Sequence, residues 1–230
     1  MVYCGNDNTA AVANMISALE QPPSAAHAKK KFILISGCLI YQPSPMPVDE
    51  EAPLNTNLGR YKTEQVVLSS PLVHGVVTRP TFVYGKSMSY MGAWFDQFHK
   101  EGKVTAKGNP DKIHNYVHIS DLADGITRIA EASDAVVTKQ VFNFGDSSAY
   151  THLTVATALA RAAGYKGPVD VVPNQNKVDE YFDRYARVDS SKARRLLGWV
   201  PIHAGLLEEA ELYYNSWKIH NELNPTKPSH

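Results

Sequence analysis

Cysteine is scarce. Cys4 and Cys38 are the only two in 230 residues, and two thiols make neither a disulfide framework nor a structural zinc site. No apolar run approaches the roughly 20 residues that cross a bilayer, so no membrane partner is expected. The opening stretch MVYCGNDNTA has no basic segment followed by an apolar one. No secretory leader is read there, and a soluble, reducing, cytoplasmic setting is expected. Neither sign of charge is in excess, with 23 Lys+Arg against 23 Asp+Glu. Proteins that hold nucleic acid by neutralising phosphates usually carry a basic surplus, so nucleic acid is not expected as a partner either. The short phosphate and metal motifs are missing too. GxGxxG, GxxGxxG, GxxxxGK[ST], HExxH, CxxC and GxSxG do not occur, and a single glycine, Gly5, precedes Gly37. A dinucleotide-binding domain needs a glycine-rich turn after its first strand, where a helix N-terminus receives the pyrophosphate. Nine histidines are scattered, with no pair at ligand spacing backed by carboxylates, and no metal site is expected.

What is present is an alternation of short apolar runs and amphipathic segments. Val2-Tyr3-Cys4 reads as the end of a strand. Residues 9–20 place Val12, Met15, Ile16 and Leu19 at helical spacing, and Pro22-Pro23 close that helix. The run 32–35 is apolar throughout, as in a parallel strand buried on both faces. Residues 41–56 read as a surface loop and 57–69 as a helix. Further strands are expected at 75–78, 116–119, 141–144 and 169–172. Further helices are expected at 87–100, 122–132, from 151 to Gly164, near 190–197 and over 205–221, with Ser120 or Asp121 as a cap for the second. Strands alternating with helices imply an α/β fold with a parallel sheet.

Five stretches then line up in a specific order: FILISGCLIYQ, GRYKTEQVVL, VVTRPTFVYG, NYVHISDLADGI and RVDSSKARRLLGWVPIHAGLLEEA. In that order the chain resembles the extended short-chain dehydrogenase/reductase family, the NAD-dependent epimerase/dehydratase group. The last two stretches carry most of the weight, being long and irregular. The resemblance implies an incomplete Rossmann-like parallel sheet with a small C-terminal α/β substrate-binding part. Residues 1–85 would be the later portion of the dinucleotide domain, and 86–230 the remaining Rossmann elements with the substrate part. It also implies NAD or NADP as cofactor and a small carbonyl or hydroxyl compound as substrate. The family's first strands and glycine turn have no counterpart here, so the chain reads as a fragment or as naturally short. Its front strand would be an exposed edge, which a homodimer would cover.

The family's catalysis uses Ser/Thr with Tyr-x-x-x-Lys, the tyrosine as acid/base and the lysine holding the ribose. Registering Glu64-Gln65 on the usual helix puts Arg60 at the lysine and Thr56 at the tyrosine. Registering Lys62 on the lysine puts Leu58 at the tyrosine. Neither register has a tyrosine in place, and Gly37 stands where the serine is counted, with Ser36 just before it. The resemblance thus points to Ser36, Thr56 and Arg60 as catalytic candidates. Lys62, Pro80 and Tyr84 are candidates for the cofactor, and His114 and Arg187 for the substrate. His114 occupies the position where nucleotide-sugar epimerases commonly carry a phosphate-binding arginine, which argues against a UDP-sugar. Three readings compete: an oxidoreductase or isomerase, a sensor or scaffold that kept the fold without the chemistry, and a truncated, inactive product.

Overall fold

The computed structural model describes residues 1–5, 8–19, 29–86, 90–203 and 205–223. In chain order the elements begin β1 (Val2–Tyr3), α1 (Thr9–Ala18), β2 (Lys31–Ile35), α2 (Gly59–Ser69), β3 (His74–Pro80) and β4 (Phe82–Tyr84). They continue α3 (Gly92–Glu101), β5 (Thr105–Lys107), β6 (Ile113–His114), β7 (Tyr116–His118), α4 (Ile119–Glu131), α5 (Asp134–Val137) and β8 (Gln140–Phe144). Last come β9 (Tyr150–Thr151), α6 (His152–Ala162), β10 (Asp170–Val172), α7 (Lys177–Phe182), α8 (Ser191–Leu197) and α9 (Ala210–Leu223).

The main sheet runs β1-β2-β3-β8, all parallel, with Val2 opposite Ile33, Phe32 opposite Gly75 and Thr78 opposite Phe142. Side chains alternate across it, and both faces are covered. Phe32, Leu34 and Val77 join Val12, Ile16 and Val67 under α1 and α2. Ile33, Val76 and Phe142 join Leu122, Ile129, Leu197 and Trp199 under α4 and α8. Two helical layers on one parallel sheet explain why β2 reads as an unbroken apolar run. Trp199 is a packing residue: its ring meets Phe144 edge-on at 5.0 Å, and its N–H donates to the Asp121 carbonyl at 2.8 Å.

A third core lies beyond the C-terminal ends of the strands, built on Tyr84, Phe95, Tyr116, Leu159, Tyr213 and Trp217. Three two-stranded ladders frame it: β4 with β7, β5 with β10, and β6 with β9. Several of these strands are two or three residues long, too short to carry a readable period, and β4, β5, β6 and β9 have no sequence signal. Tyr41 is a correction to the surface-loop reading of 41–56. It is buried and bridges to Leu54, because its hydroxyl has partners inside. The cap of α4 is a second correction. The His118 ring accepts from the Ser120 N–H at 3.1 Å. Asp121 instead turns inward to accept from the N–H groups of Ile202 and His203. The helix from 57 begins at Gly59, and the one from 205 begins at Ala210. Residues 87–89 and Glu20 lie outside the described residues.

Candidate functional site

The site forms where β2 and β3 end. Ser36 leaves β2 with its N–H still bonded to the Thr78 carbonyl at 2.8 Å. Its hydroxyl donates to Glu64 Oε1. Glu64 sits on α2, on the helix face that also carries Val67 three residues on. With no exposure at all, it requires a cation. Arg79, near the end of β3, supplies it: Nη2 lies 2.7 Å from Oε2, and Nε reaches both carboxylate oxygens at 3.2 and 3.3 Å. Burial works against the Arg79 charge, but the Glu64 bonds outweigh it and raise its affinity for its proton.

The network continues outward. Arg79 Nη1 donates to the Tyr41 hydroxyl at 2.9 Å, and Tyr41 donates to Asn143 Oδ1 at 2.7 Å. The Asn143 N–H donates to Glu50 Oε1 at 2.8 Å. Burial pushes the Tyr41 phenol well above its ordinary value and also lifts the Glu50 carboxyl. Glu64, Arg79, Tyr41, Asn143 and Glu50 were not legible as a group. A charged residue in an otherwise apolar strand and a glutamate on an inward helix face are the signals, but each needs the other to mean anything.

Gly37 marks the close approach. A Cβ there would lie 3.3 Å from Arg60 Nη1 and 3.9 Å from the Pro80 carbonyl oxygen. The structure therefore brings Ser36, Arg60 and Pro80 to one edge. It does not bring Thr56 or Lys62 there as hydrogen-bonding groups. Both are exposed, Thr56 in the turn before α2 and Lys62 on the helix, and neither forms a side-chain hydrogen bond among the described residues. Tyr84 is buried on β4, edge-on to Tyr116, His118 and Tyr213. Burial, with Asp146 and Asp121 nearby, raises its phenol far above the ordinary value.

His114 lies in a different place, buried on β6 with its Nε2 2.9 Å from the Arg184 carbonyl and its ring against Phe82. Burial lowers its pKa to about 4, so it carries no charge at neutral pH. Arg187 is half-buried in the strand-like segment beside Val48, and its Nε has no hydrogen-bond partner among the described residues. No cluster of His, Cys, Asp and Glu among the described residues is arranged to hold a metal ion.

The sequence profile of the NAD dependent epimerase/dehydratase family matches residues 1–145. Among curated proteins, the chain is similar to the chloroplast stem-loop binding protein of 41 kDa b of Arabidopsis thaliana. The two are 25% identical over 185 residues, covering 75% of this chain and 48% of that protein. It is 28% identical over 111 residues to the UDP-glucose 4-epimerase of Lacticaseibacillus casei, covering 48% of this chain and 32% of that one. The chain thus spans between about a third and about a half of these relatives. Among solved structures, the dTDP-glucose 4,6-dehydratase of Bacillus anthracis in complex with NAD superposes with a TM-score of 0.74. Identity there is 16%, over 95% of this chain and 69% of that one. The UDP-glucuronic acid 4-epimerase of Bacillus cereus, in complex with UDP-glucuronic acid and NAD, gives 0.74 at 18% identity, over 93% and 68%. At these identities the likeness shows the shared fold.

Proposed function

This chain belongs to the NAD dependent epimerase/dehydratase family, and we propose that it serves as a ligand-binding protein on that fold rather than as a hydride-transfer catalyst. The observation that carries this is the state of the Ser36 edge. An acid–base catalyst needs a titrating group within hydrogen-bond reach of the reacting oxygen. The Ser36 hydroxyl donates a hydrogen bond to Glu64, and Glu64 is clamped by Arg79. Arg60, over Gly37, is a guanidinium, which does not deprotonate in proteins. The buried phenols Tyr41 and Tyr84 are both pushed away from titrating at neutral pH.

The cofactor the family implies is NAD or NADP, and the fit to it is partial. The close approach at Gly37, where Arg60 and Pro80 meet it, supports a role for these residues at the nicotinamide-ribose end. The glycine turn that would hold the pyrophosphate is not in these 230 residues. His114, neutral and bonded to a carbonyl, offers a nucleotide-sugar diphosphate no charge. Calorimetric titration with NADH and NADPH is expected to show no micromolar binding by the 230-residue chain. A companion assay follows nicotinamide absorbance with UDP-glucose and with small aldehydes and ketones. Turnover of any of these that disappears in Ser36→Ala would overturn the binding-only reading in favour of an oxidoreductase or isomerase.

A second reading is favoured by one observation. The Arabidopsis relative that covers three quarters of this chain is by its name a stem-loop binding protein. In a chain with balanced charge, α8 still gathers Lys192, Arg194 and Arg195, the last two exposed. Anisotropy titrations with an RNA stem-loop at several salt concentrations test it. Binding by phosphate neutralisation would weaken with a log–log slope of about −0.9 per phosphate contacted. No binding at low salt removes the reading.

A further inference from the structure

The segment between α8 and α9 is held to the rest of the molecule by polar contacts more than by burial. Trp199 and Leu206 anchor its two ends in separate cores, but between them Val200 is 60% exposed and Ile202 83%. What holds Ile202 and His203 is the first turn of α4. Asp121 Oδ1 accepts from the Ile202 N–H at 3.2 Å, and Oδ2 accepts from the His203 N–H at 3.3 Å. The imidazole of His203 then lies flat on that of His118, which caps α4, with 3.5 Å between ring centres and 22° between planes.

The position of the proton on His118 is fixed by its neighbours. Nδ1 accepts from the Ser120 N–H at 3.1 Å, so that nitrogen is bare and the neutral ring carries its proton on Nε2. Nε2 faces the Gly85 backbone closely, since a Cβ on Gly85 would lie 2.5 Å from it. A second proton therefore has only Nδ1 to go to. There it takes the acceptor away from Ser120, and it puts a positive charge at the helix end that already carries about half of one. With His203 protonated as well, two cations would lie face to face.

Other titratable groups also face the pair. Asp121, on α4, has Oδ1 3.0 Å from His203 Nδ1, an ion-pair distance without hydrogen-bond alignment. Glu209, just before α9, accepts from the Tyr213 hydroxyl. The rings of Tyr84 on β4 and Tyr213 on α9 lie 5.2 and 6.0 Å from that of His118. Burial, and after it His203, lowers the affinity of His118 for a second proton, although Asp121 and Glu209 act the other way.

We propose that the stacked His118–His203 pair is an acid-operated latch: a proton arriving on His118 Nδ1 unstacks the rings and frees the segment around Ile202 from the first turn of α4. The movement pulls little out of a core, because Val200 and Ile202 already face solvent. It uncovers His118 and, behind it, the edge-on contact of Tyr84 with Tyr213. The closed form favours neutral His118, so the latch is shut above the ordinary histidine value of 6.5 and opens as the pH falls below it. It shares no residue with the Ser36 edge, and the two readings fail separately.

Amide hydrogen exchange read by NMR on the 230-residue chain tests the latch between about pH 7.5 and about pH 4.5, with each rate corrected for the intrinsic effect of pH. Protection of the Ile202 and His203 N–H groups is expected to fall by about tenfold or more, in step with the titration of the His118 ring. Val76, in the middle of β3, is expected to hold its protection and serves as the reference for global unfolding. His203→Phe keeps a flat ring in the stack without its charge, and its Ile202 N–H is expected to stay protected at the lower pH. His118→Asn keeps a cap acceptor that has no proton to gain, and its Ile202 protection is expected not to change with pH. The proposal is overturned if Ile202 stays protected in the parent chain at acid pH, or if Val76 loses protection by the same factor. It is equally overturned if either variant opens as the parent does, which would assign the release to protonation of Asp121.

Discussion

Glu64 and Arg79 are the most consequential pair of side chains at the residue scale. Both are almost fully desolvated, and removing one leaves the other charged and buried without its counter-ion. Glu64→Ala is expected to lose about 3–5 kcal/mol, read from urea midpoints, whereas replacing both residues by apolar ones of similar volume recovers most of that loss. A single-variant loss under about 1 kcal/mol would show that water reaches the pair. His114 carries a pH signature. Its folded pKa, about 4, is depressed below its ordinary value of 6.5, so the unfolded chain binds the proton more readily. Its contribution to stability is present above about pH 6.5 and is lost as pH falls toward 4, on the order of 1–3 kcal/mol. His114→Gln should lose less stability than the parent between pH 6.5 and 4.5. Equal losses in both proteins would assign the acid sensitivity to the carboxylates.

Among the elements, the contact of α2 with β3 is set by a glycine. A Cβ on Gly75 would come within 2.1 Å of the Val67 carbonyl oxygen, a helix backbone atom that cannot rotate away. Gly75→Ala must push α2 off the sheet, and with it the Glu64 carboxylate that holds Ser36 and Arg79. A cost of about 1–3 kcal/mol is expected. If the pair is displaced as well, the Tyr41 ring environment changes, which near-ultraviolet circular dichroism reads. A variant with parental stability and an unchanged spectrum would mean that α2 moves without disturbing the network.

For the whole molecule, the telling feature is the sheet's edge at β1. That strand pairs with β2 on one side, and Val2 is 49% exposed. An edge with unpaired N–H and C=O groups is a template for another chain, and zero net charge adds no repulsion. We propose that the 230-residue chain expressed alone self-associates through this edge. Light scattering is expected to show dimers or larger species, reduced by Val2→Lys. A monodisperse monomer over a wide concentration range would sink this proposal.

How much of this was legible depends on the range of the interaction. The alternation of apolar runs and amphipathic helices follows from local periodicity, and it sufficed for the parallel α/β fold. NYVHISDLADGI and the Leu197-Gly198-Trp199 ending sufficed for the family, because long irregular stretches rarely match by chance. That neither register puts a tyrosine at the first position of Tyr-x-x-x-Lys was equally a matter of reading residues. What the residues alone left open was where side chains from distant segments meet. Ser36, Tyr41, Glu50, Glu64, Arg79 and Asn143 are separated by up to 107 positions, yet they form one hydrogen-bonded network. Only the tertiary structure decides such pairings, because a buried polar group is defined by what surrounds it, and those surroundings are assembled from the whole chain.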